Sequence, residues 1–333
     1  MNKYLASLLT LTFACGQGAD ATGPRTATTD LVTSNGENLN GENLNGENLN
    51  GENLNGTSFT GPGMPVNVAY ALFDGASVNG RTLDSAWLEG TVFHGMRNGH
   101  ELSGLDFDNS SFQASLLDGT PLSLRVVDID RGDFPNSDVW SYLVQFRAGN
   151  GTWHPLCMDA NNNAVYAIAL DGRWNYGRGV PTGGDHVDDP SAFTFACKGL
   201  GAIAKCVFPI GYKPWETVNG VSLAPYHQAC TRALRADYCG DGNSWTVNGR
   251  KIELWDGIGV QQSSRPFWLF EAEWTDGSAA CVTTQRVIDL RNVLGTVSRC
   301  ILSRVSLTCG FQSHFQRGTL LMNRYQSPGI SLF

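Results

Sequence analysis

The sequence predicts an α+β, disulfide-rich C-terminal domain preceded by a β-solenoid-like segment. Three observations support this prediction. Up to residue 117, apolar residues recur every five positions, which matches neither the 3.6-residue period of a helix nor the two-residue period of a strand. After residue 120, strand-like runs and two helical segments replace this period. Eight of the nine cysteines lie in that second part of the 333-residue chain, which is long enough for about two domains.

Residues 1–14 have the layout of a cleaved export signal. Lys3 precedes an apolar run, and small residues surround Cys15. The run is far shorter than the ~20 residues that a transmembrane helix needs. We expect Cys15 to be the lipid-modified first residue of a mature lipoprotein. Thr12 stands where such signals usually carry leucine, so ordinary signal-peptidase cleavage is the alternative. Either route predicts export to the outer membrane, the cell surface or the extracellular space.

Residues 15–61 are predicted to be a flexible spacer. Within it, residues 35–54 repeat NGENL four times without variation. In a regular coil, Glu37, Glu42, Glu47 and Glu52 would all point inward, and each buried, unpaired charge is costly. Four stacked leucines, at about 2 kcal/mol each, do not offset that cost. Residues 35–119 contain eleven acidic residues and two arginines, so this part of the chain has no basic surface for nucleic acid.

Residues 62–119 are predicted to be an ordered solenoid. The five-residue period resumes at Phe73 and continues, with one slip, to Leu117. Large apolar residues such as Leu88 and Phe93 alternate with small ones two positions earlier. This pattern resembles the pentapeptide-repeat family, in which five-residue faces build a right-handed β-helix. The resemblance implies that the large residues point into the coil.

Residues 120–333 are predicted to form one α+β domain. One helix is expected from Asp189 to Val207, because an Asp-Pro pair is typical of a helix start. A second is expected from Pro225 to Tyr238, ahead of a glycine that ends it. Turns rich in Asn, Asp and Gly separate strand-like runs, which are found at residues 122–129, 139–146, 165–170, 251–255 and 267–274.

Without Cys15, an even set of cysteines remains, which can form four disulfides in an oxidising compartment. Cys197 and Cys206 are nine residues apart, as are Cys230 and Cys239. Nine steps reach opposite faces of a helix, so neither pair should close on itself. Among the roughly one hundred possible pairings, we expect Cys157 to pair with Cys197. The predicted disulfide cysteines are Cys157, Cys197, Cys206, Cys230, Cys239, Cys281, Cys300 and Cys309.

Around the second predicted helix the chain reads APYHQACTRALRADYCGDG, preceded by AFTFACKGLGAIAKC and GYKPW. These strings resemble the ADYC domain family, whose tetrad stands here at residues 236–239. The resemblance covers roughly residues 137–276. It implies an exported protein and no particular activity.

His227, Asp237 and Asp241 are the candidate catalytic residues, since an imidazole and a carboxyl group can act together in acid–base chemistry. Structural explanations compete with this interpretation. His227 would then be a capping or core polar residue, and Arg232, Arg235 and Asp237 would form a buried ion pair. Three classes of function therefore stay open: an exported binding protein, an envelope hydrolase using His227 with Asp237 or Asp241, and a structural surface protein.

No cofactor or metal is predicted. The six histidines lack the spacing of zinc ligands. The glycine-rich residues 199–204 lack the following acidic residue of a dinucleotide site. Eight of the nine tryptophans lie in the C-terminal domain, where they either fill the core or stack on a ligand. The predicted partners are a membrane, through the lipid on Cys15, and a glycan or protein ligand, with no nucleic acid.

Overall fold

The computed structural model describes residues 32–34, 54, 55, 57, 59–61, 64–66, 68–133, 136–149, 151–159, 161–246, 250–286 and 299–326. The strands of the first half, in chain order, are β1 (Val32–Ser34), β2 (Phe59–Gly61), β3 (Met64–Val66), β4 (Val68–Val78), β5 (Arg81–Thr82), β6 (Ser85–Glu89), β7 (Val92–Arg97), β8 (His100–Ser103), β9 (Ser110–Leu116), β10 (Pro121–Arg131), β11 (Trp140–Ala148) and β12 (His154–Pro155). The strands of the second half are β13 (Ala167–Asp171), β14 (Arg173–Trp174), β15 (His186–Val187), β16 (Ala192–Cys197), β17 (Thr217–Val218), β18 (Val221–Ser222), β19 (Lys251–Asp256), β20 (Leu269–Trp274), β21 (Ala279–Val282) and β22 (Leu321–Tyr325). The helices are α1 (Ala202–Val207), α2 (Ala224–Arg235) and α3 (Arg299–Arg304), with 3-10 turns at Gly104–Phe107 and Gln312–Arg317.

Six antiparallel strands close into a barrel in the order β9, β4, β16, β13, β11, β10. The ring is closed because β10 pairs with β9 on one side and with β11 on the other. Aromatic side chains fill its interior. The Phe93 ring centroid lies 4.9 Å from Phe112, 4.9 Å from Tyr142 and 5.0 Å from Phe193. Phe93 belongs to the three-stranded sheet of β6, β7 and β8, which therefore packs against the barrel.

The predicted solenoid over residues 62–119 is wrong, and the resemblance to pentapeptide repeats is not supported. Leu88 and Phe93 are buried as expected, but they lie on antiparallel strands. The turns explain the difference. Asn79 and Gly80 have φ values of 51° and 71°, and Asn98 and Gly99 have 51° and 76°. Two successive positive φ values are those of a type I′ hairpin turn. The chain therefore reverses after β4 and after β7 and does not wind onward.

A second, five-stranded antiparallel sheet has the order β1, β19, β22, β20, β21, and α2 packs against it. Arg286 joins the two elements. Its guanidinium donates to the carbonyls of Ala233 and Leu234 at the end of α2, and it forms a two-bond ion pair with Glu271 of β20. The buried charge is thus fully partnered, which makes it a structural link between helix and sheet.

The eight cysteines after residue 150 form four disulfides, which is consistent with an exported protein. They are Cys157–Cys197, Cys206–Cys230, Cys239–Cys300 and Cys281–Cys309. The first is the pairing expected from the sequence, and neither nine-residue pair closes on itself.

The predicted α+β class is also wrong, because the fold is mostly β. β16 and the short α1 replace the helix expected from Asp189 to Val207. On β16, Phe193 and Phe195 face the barrel interior, whereas Ala196 packs outside it with Ile203 of α1. Both faces of the strand are covered, so its apolar residues do not alternate with polar ones, and the run mimics helical spacing.

The other predicted elements of the C-terminal domain are confirmed. The five strand-like runs correspond to β10, β11, β13, β19 and β20. The second helix is α2, which ends at Arg235, before the predicted end at Tyr238, because Ala236 takes a left-handed conformation with φ of 54°.

The last residues of the predicted spacer pack onto the barrel. Leu54 and Asn55 are buried. The Leu54 carbonyl accepts a 3.0 Å bond from the backbone N–H of Ile203, and Asn55 Nδ2 donates to the Val68 carbonyl at 2.7 Å. The predicted export signal, Cys15 and the four repeat glutamates lie outside the described residues. Within the described ranges, no helix has the length and apolar character needed to cross a membrane.

Candidate functional site

A cavity of about 540 Å³ lies between the barrel and α2. Its wall comes from five places: the β6–β7 turn, the end of β13 with the β14–β15 pair, the loop after α1, the start of α2, and the turn after β20. The lining residues are Gly90, Leu170, Asp171, Trp174, Asp185, His186, Pro214, Trp215, Ala224, Pro225, His227, Gln228, Asp276 and Gly277. This volume is typical of sites for small molecules.

The first turn of α2 places His227 and Gln228 in the wall. His227 is buried, and its Nε2–H donates to the Ile203 carbonyl at 3.0 Å. Burial lowers the pKa of His227 to about 4, so the ring is neutral at physiological pH. Gln228 Nε2 donates to the Gly184 carbonyl at 2.9 Å, and its Oε1 accepts from the backbone N–H of His186 at 3.3 Å. Gln228 thus fixes the chain from Gly184 to His186, where β15 begins.

The barrel side contributes an aromatic and two titratable groups. Trp174 of β14 lies opposite His186 of β15 in the strand register, and their rings are 4.7 Å apart. His186 Nε2–H donates to the Asp171 carbonyl at 2.9 Å. A side chain at Gly172 would come within 2.5 Å of the His186 ring nitrogen, so this close approach requires glycine.

Asp171 is the carboxyl group of this wall with a perturbed pKa. Partial burial raises the pKa of Asp171 to about 6, and the nearby His186 opposes that shift only in part. The cavity therefore combines a carboxyl group that holds its proton near pH 6 with a histidine, His227, that resists protonation down to about pH 4. Perturbed groups that share a cavity are typical of functional sites.

Trp215 forms a second aromatic wall. The ring is half-buried, and Gly90 of the β6–β7 turn lies against it. A Cβ atom at Gly90 would stand 3.2 Å from the indole. The side chain of Trp174 is 5% exposed, so Trp215 is the more accessible of the two indoles.

Arg232 of α2 holds the acidic rim of the cavity, by which we mean Asp185 and Asp276. Its guanidinium forms ion pairs with Asp185 and with Asp237, the latter at 2.5 Å. It also donates to the carbonyls of Gly183 at 3.0 Å and Asp276 at 2.8 Å. Two of these partners, Asp185 and Asp276, line the cavity. One buried side chain thus positions both acidic residues of this rim.

The structure separates the three candidate catalytic residues. His227 lines the cavity, whereas Asp237 is buried in the ion pair with Arg232 and Arg235, as its structural interpretation expects. Asp241 accepts bonds from the backbone and side-chain N–H groups of Asn243 at 3.0 and 3.1 Å. The carboxyl groups that share the cavity with His227 are those of Asp171, Asp185 and Asp276. Catalytic roles for the three predicted residues remain predictions.

Sequence reasoning missed Asp171, Trp174 and His186 as site residues. A usable signal was present for the first, because Asp171 directly follows the predicted strand at residues 165–170, and polar residues at strand ends often line sites. Trp215 belongs to the quoted GYKPW string, and His227 and Gln228 belong to APYHQ. Among the described residues, no group of three or more His, Cys, Asp or Glu side chains is placed to hold a metal ion.

The fold and the cavity together define a disulfide-linked, mostly β protein with a closed barrel and a small-molecule-sized cavity beside its longest described helix. The chain belongs to the ADYC domain family, whose model matches residues 104–288. The matched part contains every cavity-lining residue except Gly90. No curated protein and no solved structure matches the chain.

Proposed function

We propose that this protein is an exported, lipid-anchored protein of the cell envelope or cell surface whose cavity binds a carbohydrate. The observation that carries the proposal is the cavity itself, whose lining combines the indoles of Trp215 and Trp174 with carboxyl groups and the amide of Gln228. Sugar rings have an apolar face that stacks on an indole and hydroxyl groups that bond to carboxylates and amides.

Charge narrows the ligand class. Asp171, Asp185 and Asp276 bring three carboxyl groups to the cavity, and Arg232 pairs with Asp185 alone among them. At neutral pH this wall repels anionic ligands and favours neutral or amino sugars. The ligand is therefore a neutral or amino-sugar oligosaccharide.

The test is titration of the protein with tetramers of N-acetylglucosamine, glucosamine and glucose, followed by tryptophan fluorescence and calorimetry. Trp215→Ala should raise the Kd at least about tenfold, because an aromatic platform dominates such a site. Trp153→Ala is the matched control. Its ring is half-buried against the barrel, where Arg125 and Arg147 lie over it at 4.3 and 4.7 Å, and Trp153 is not among the lining residues of the cavity.

The proposal fails if none of the three tetramers binds the native protein, or if the two tryptophan variants lose affinity equally. Preference for glucosamine over its N-acetylated form would support the role of the acidic wall, and Asp171→Asn should then reduce that preference.

The anchor is tested separately. The four disulfides and the predicted export signal support export, and Cys15 directly after that signal supports lipidation. Replacing Cys15 with Ser should move the protein from the membrane fraction to the soluble fraction. An unchanged membrane fraction would remove the lipoprotein part of the proposal and leave the cavity part standing.

The pKa order in the cavity favours hydrolysis as a second candidate function. Near pH 5, Asp171 is largely protonated while His227 is largely neutral, since their pKa values are about 6 and about 4. A proton donor and a proton acceptor that line the same cavity are the two groups that acid–base hydrolysis needs. Incubation of the same tetramers at pH 5, followed by mass spectrometry, should then show shorter products that Asp171→Asn abolishes. If the tetramers stay intact, hydrolysis is ruled out and carbohydrate binding is the one proposed function that stands.

A further inference from the structure

The C-terminal part of the molecule exposes an unusual amount of apolar surface. Of the eleven large apolar side chains that are exposed in the described residues, six lie between positions 267 and 311. Phe267 is 97% exposed and Leu307 is 91% exposed. We define the C-terminal apolar surface by these six residues, which are Phe267, Leu269, Leu302, Val305, Leu307 and Phe311.

Hydrogen bonds and one close approach connect the segments that carry this surface. Thr284 Oγ1 donates to the Phe270 carbonyl, next to Leu269, at 2.5 Å. The backbone N–H of Ser306, between Val305 and Leu307, donates to the Val282 carbonyl at 2.9 Å. A Cβ atom at Gly310 would lie 3.1 Å from the Phe270 ring, which places Phe311 beside the same strand. The start of β20 and the chain from α3 to Phe311 are therefore neighbours.

The same segments are basic, in contrast to the net charge of −8 of the whole chain. Residues 257–270 and 299–326 contain five arginines and no aspartate or glutamate. Arg265 and Arg317 are exposed close to Phe267 and Phe311 in the chain. Exposed apolar side chains among arginines complement a surface that is anionic at its face and apolar beneath it.

We infer that the C-terminal apolar surface docks on an anionic lipid bilayer. Phe267 and Leu307 enter the boundary between headgroups and acyl chains, Trp268 lies at headgroup depth, and Arg265 and Arg317 bind lipid phosphates. A second copy of the chain fits less well. A two-fold pair would bring the exposed Arg265 and Arg317 of one copy against those of the other. The neighbouring carboxylates of Glu253 and Glu273 cannot compensate, because they are buried and bound to Arg324 and His314 of their own chain.

The start of β20, close to Phe267, lies away from the cavity. Phe267 precedes the first residue of β20, whereas the cavity residues Asp276 and Gly277 follow its last residue. The six-residue strand between them spans about 20 Å. The inference is thus independent of the carbohydrate proposal, and either can fail alone.

The experiment is co-sedimentation of the full chain with vesicles. The protein carries Cys15→Ser, so that no acyl chain contributes to binding. Vesicles of phosphatidylglycerol and phosphatidylcholine in equal parts are compared with vesicles of phosphatidylcholine alone, at low and high salt. We expect binding to the anionic vesicles, weaker binding at high salt, and a loss of about tenfold or more with Phe267→Ser and Leu307→Ser combined.

Matched variants distinguish binding through the C-terminal apolar surface from non-specific adsorption of exposed apolar or basic side chains to the vesicles. Leu105→Ser with Leu117→Ser removes two exposed leucines of the N-terminal half and should leave vesicle binding unchanged. Arg265→Gln with Arg317→Gln should weaken binding to anionic vesicles severalfold, whereas Arg81→Gln with Arg131→Gln, which also replaces exposed arginines, should not. Each variant is first shown to melt as the parent does.

Three results would overturn the inference. The first is the absence of binding to anionic vesicles, and the second is an equal loss of binding in the Leu105 and Leu117 control. The third is a dimer in sedimentation equilibrium that Phe267→Ser with Leu307→Ser dissociates while no variant binds vesicles, which would make a second copy the occupant.

Discussion

Arg232 shows how one buried residue can hold one side of a cavity, because it contacts both Asp185 and Asp276. Its planar guanidinium contacts two carboxylates and two carbonyls, which belong to Asp237 just after α2, to the loop at residues 183–185 and to the turn at Asp276. A lysine has a single nitrogen and cannot reach these divergent acceptors together. The role of Arg232 is therefore to position Asp185 and Asp276 in the cavity wall.

Replacing Arg232 with Gln should lower the free energy of unfolding by about 3–5 kcal/mol, because Asp237 would keep a buried charge beside Arg235 alone. Arg173→Gln is the matched control, since Arg173 pairs with Asp189 at 2.7 Å but is 38% exposed, and its loss should cost about 1 kcal/mol or less. Urea unfolding of the three proteins measures both values. Equal losses would show that the Arg232 network does not stabilise the fold.

His227 makes stability depend on pH with a defined sign. Its folded pKa of about 4 is below the unfolded value of 6.5, so the unfolded state binds more protons between these values. Stability through His227 is therefore complete above pH 6.5 and falls as the pH drops towards 4, by about 2 kcal/mol at pH 5. Asp171 acts in the opposite direction, since its pKa of about 6 is raised.

Comparison with His227→Gln isolates this contribution. The parent should lose about 2 kcal/mol more than the variant between pH 7 and pH 5 in urea unfolding. Asp171→Asn is the control of opposite sign, because it removes a group that stabilises the folded state as the pH falls. If His227→Gln kept the parental pH dependence, the ring would be protonated in the folded protein, and its place in the cavity would need another explanation.

Among single residues, the sequence identifies members of the cavity only where the signals of a nearby element, such as a helix start, are enough to place them. His227 and Gln228 reach the cavity because they stand in the first turn of α2, which a proline and a closing glycine identify. Trp174 and His186 meet because β14 pairs with β15 across a turn of eleven residues. This contact depends on the register of the two strands and on the close approach of His186 to Gly172, and the spacing of residues in the sequence predicts neither.

At the scale of elements, the most informative contrast is between α2 and β16. A helix closes its hydrogen bonds within itself, so end signals at Pro225 and Gly240 locate it. β16 needs β4 and β13, which are distant in sequence, and its outer face is covered by α1. A doubly covered strand has the continuous apolar character of a buried helix segment. The same limit explains the solenoid error, because closure of a barrel is a long-range event.

The disulfides should differ in what they contribute to stability. Cys239–Cys300 closes a loop of 61 residues and Cys206–Cys230 one of 24 residues. Loop entropy predicts losses of about 4 and about 3 kcal/mol when each pair is replaced by serines. Thermal and urea unfolding of the two double variants tests this order. Single Cys239→Ser should also lower the secreted yield, since it leaves Cys300 free to mispair. Normal secretion and melting would show that the bond is not formed in the native protein.

At the scale of the whole molecule, a small apolar cluster joins the outer face of the barrel to α1, which in turn contacts α2, the helix of the second sheet. It contains Ile168 and Ala196 of the barrel and Ile203 and Val207 of α1, and Leu54 completes it. The chain thus returns from the repeat segment into the joint between its two halves. The sequence does not reveal this, because Leu54 ends a fourth NGENL unit that reads the same as the three before it.

This identity of sequence allows a closely matched test. Leu54→Ala should cost about 2–5 kcal/mol, because Leu54 is 2% exposed and its removal leaves a cavity at the joint. Leu49→Ala changes the same residue in the same local sequence and should cost less than about 0.5 kcal/mol, since the repeat glutamates oppose packing of the earlier units. Deletion of residues 35–49, three complete repeats, should likewise leave the urea midpoint unchanged. If Leu49→Ala proved as costly as Leu54→Ala, the repeats would form an ordered coil that buries its leucines, and the predicted spacer would be wrong. A loss confined to Leu54 would instead show that the repeat segment ends where the folded joint begins.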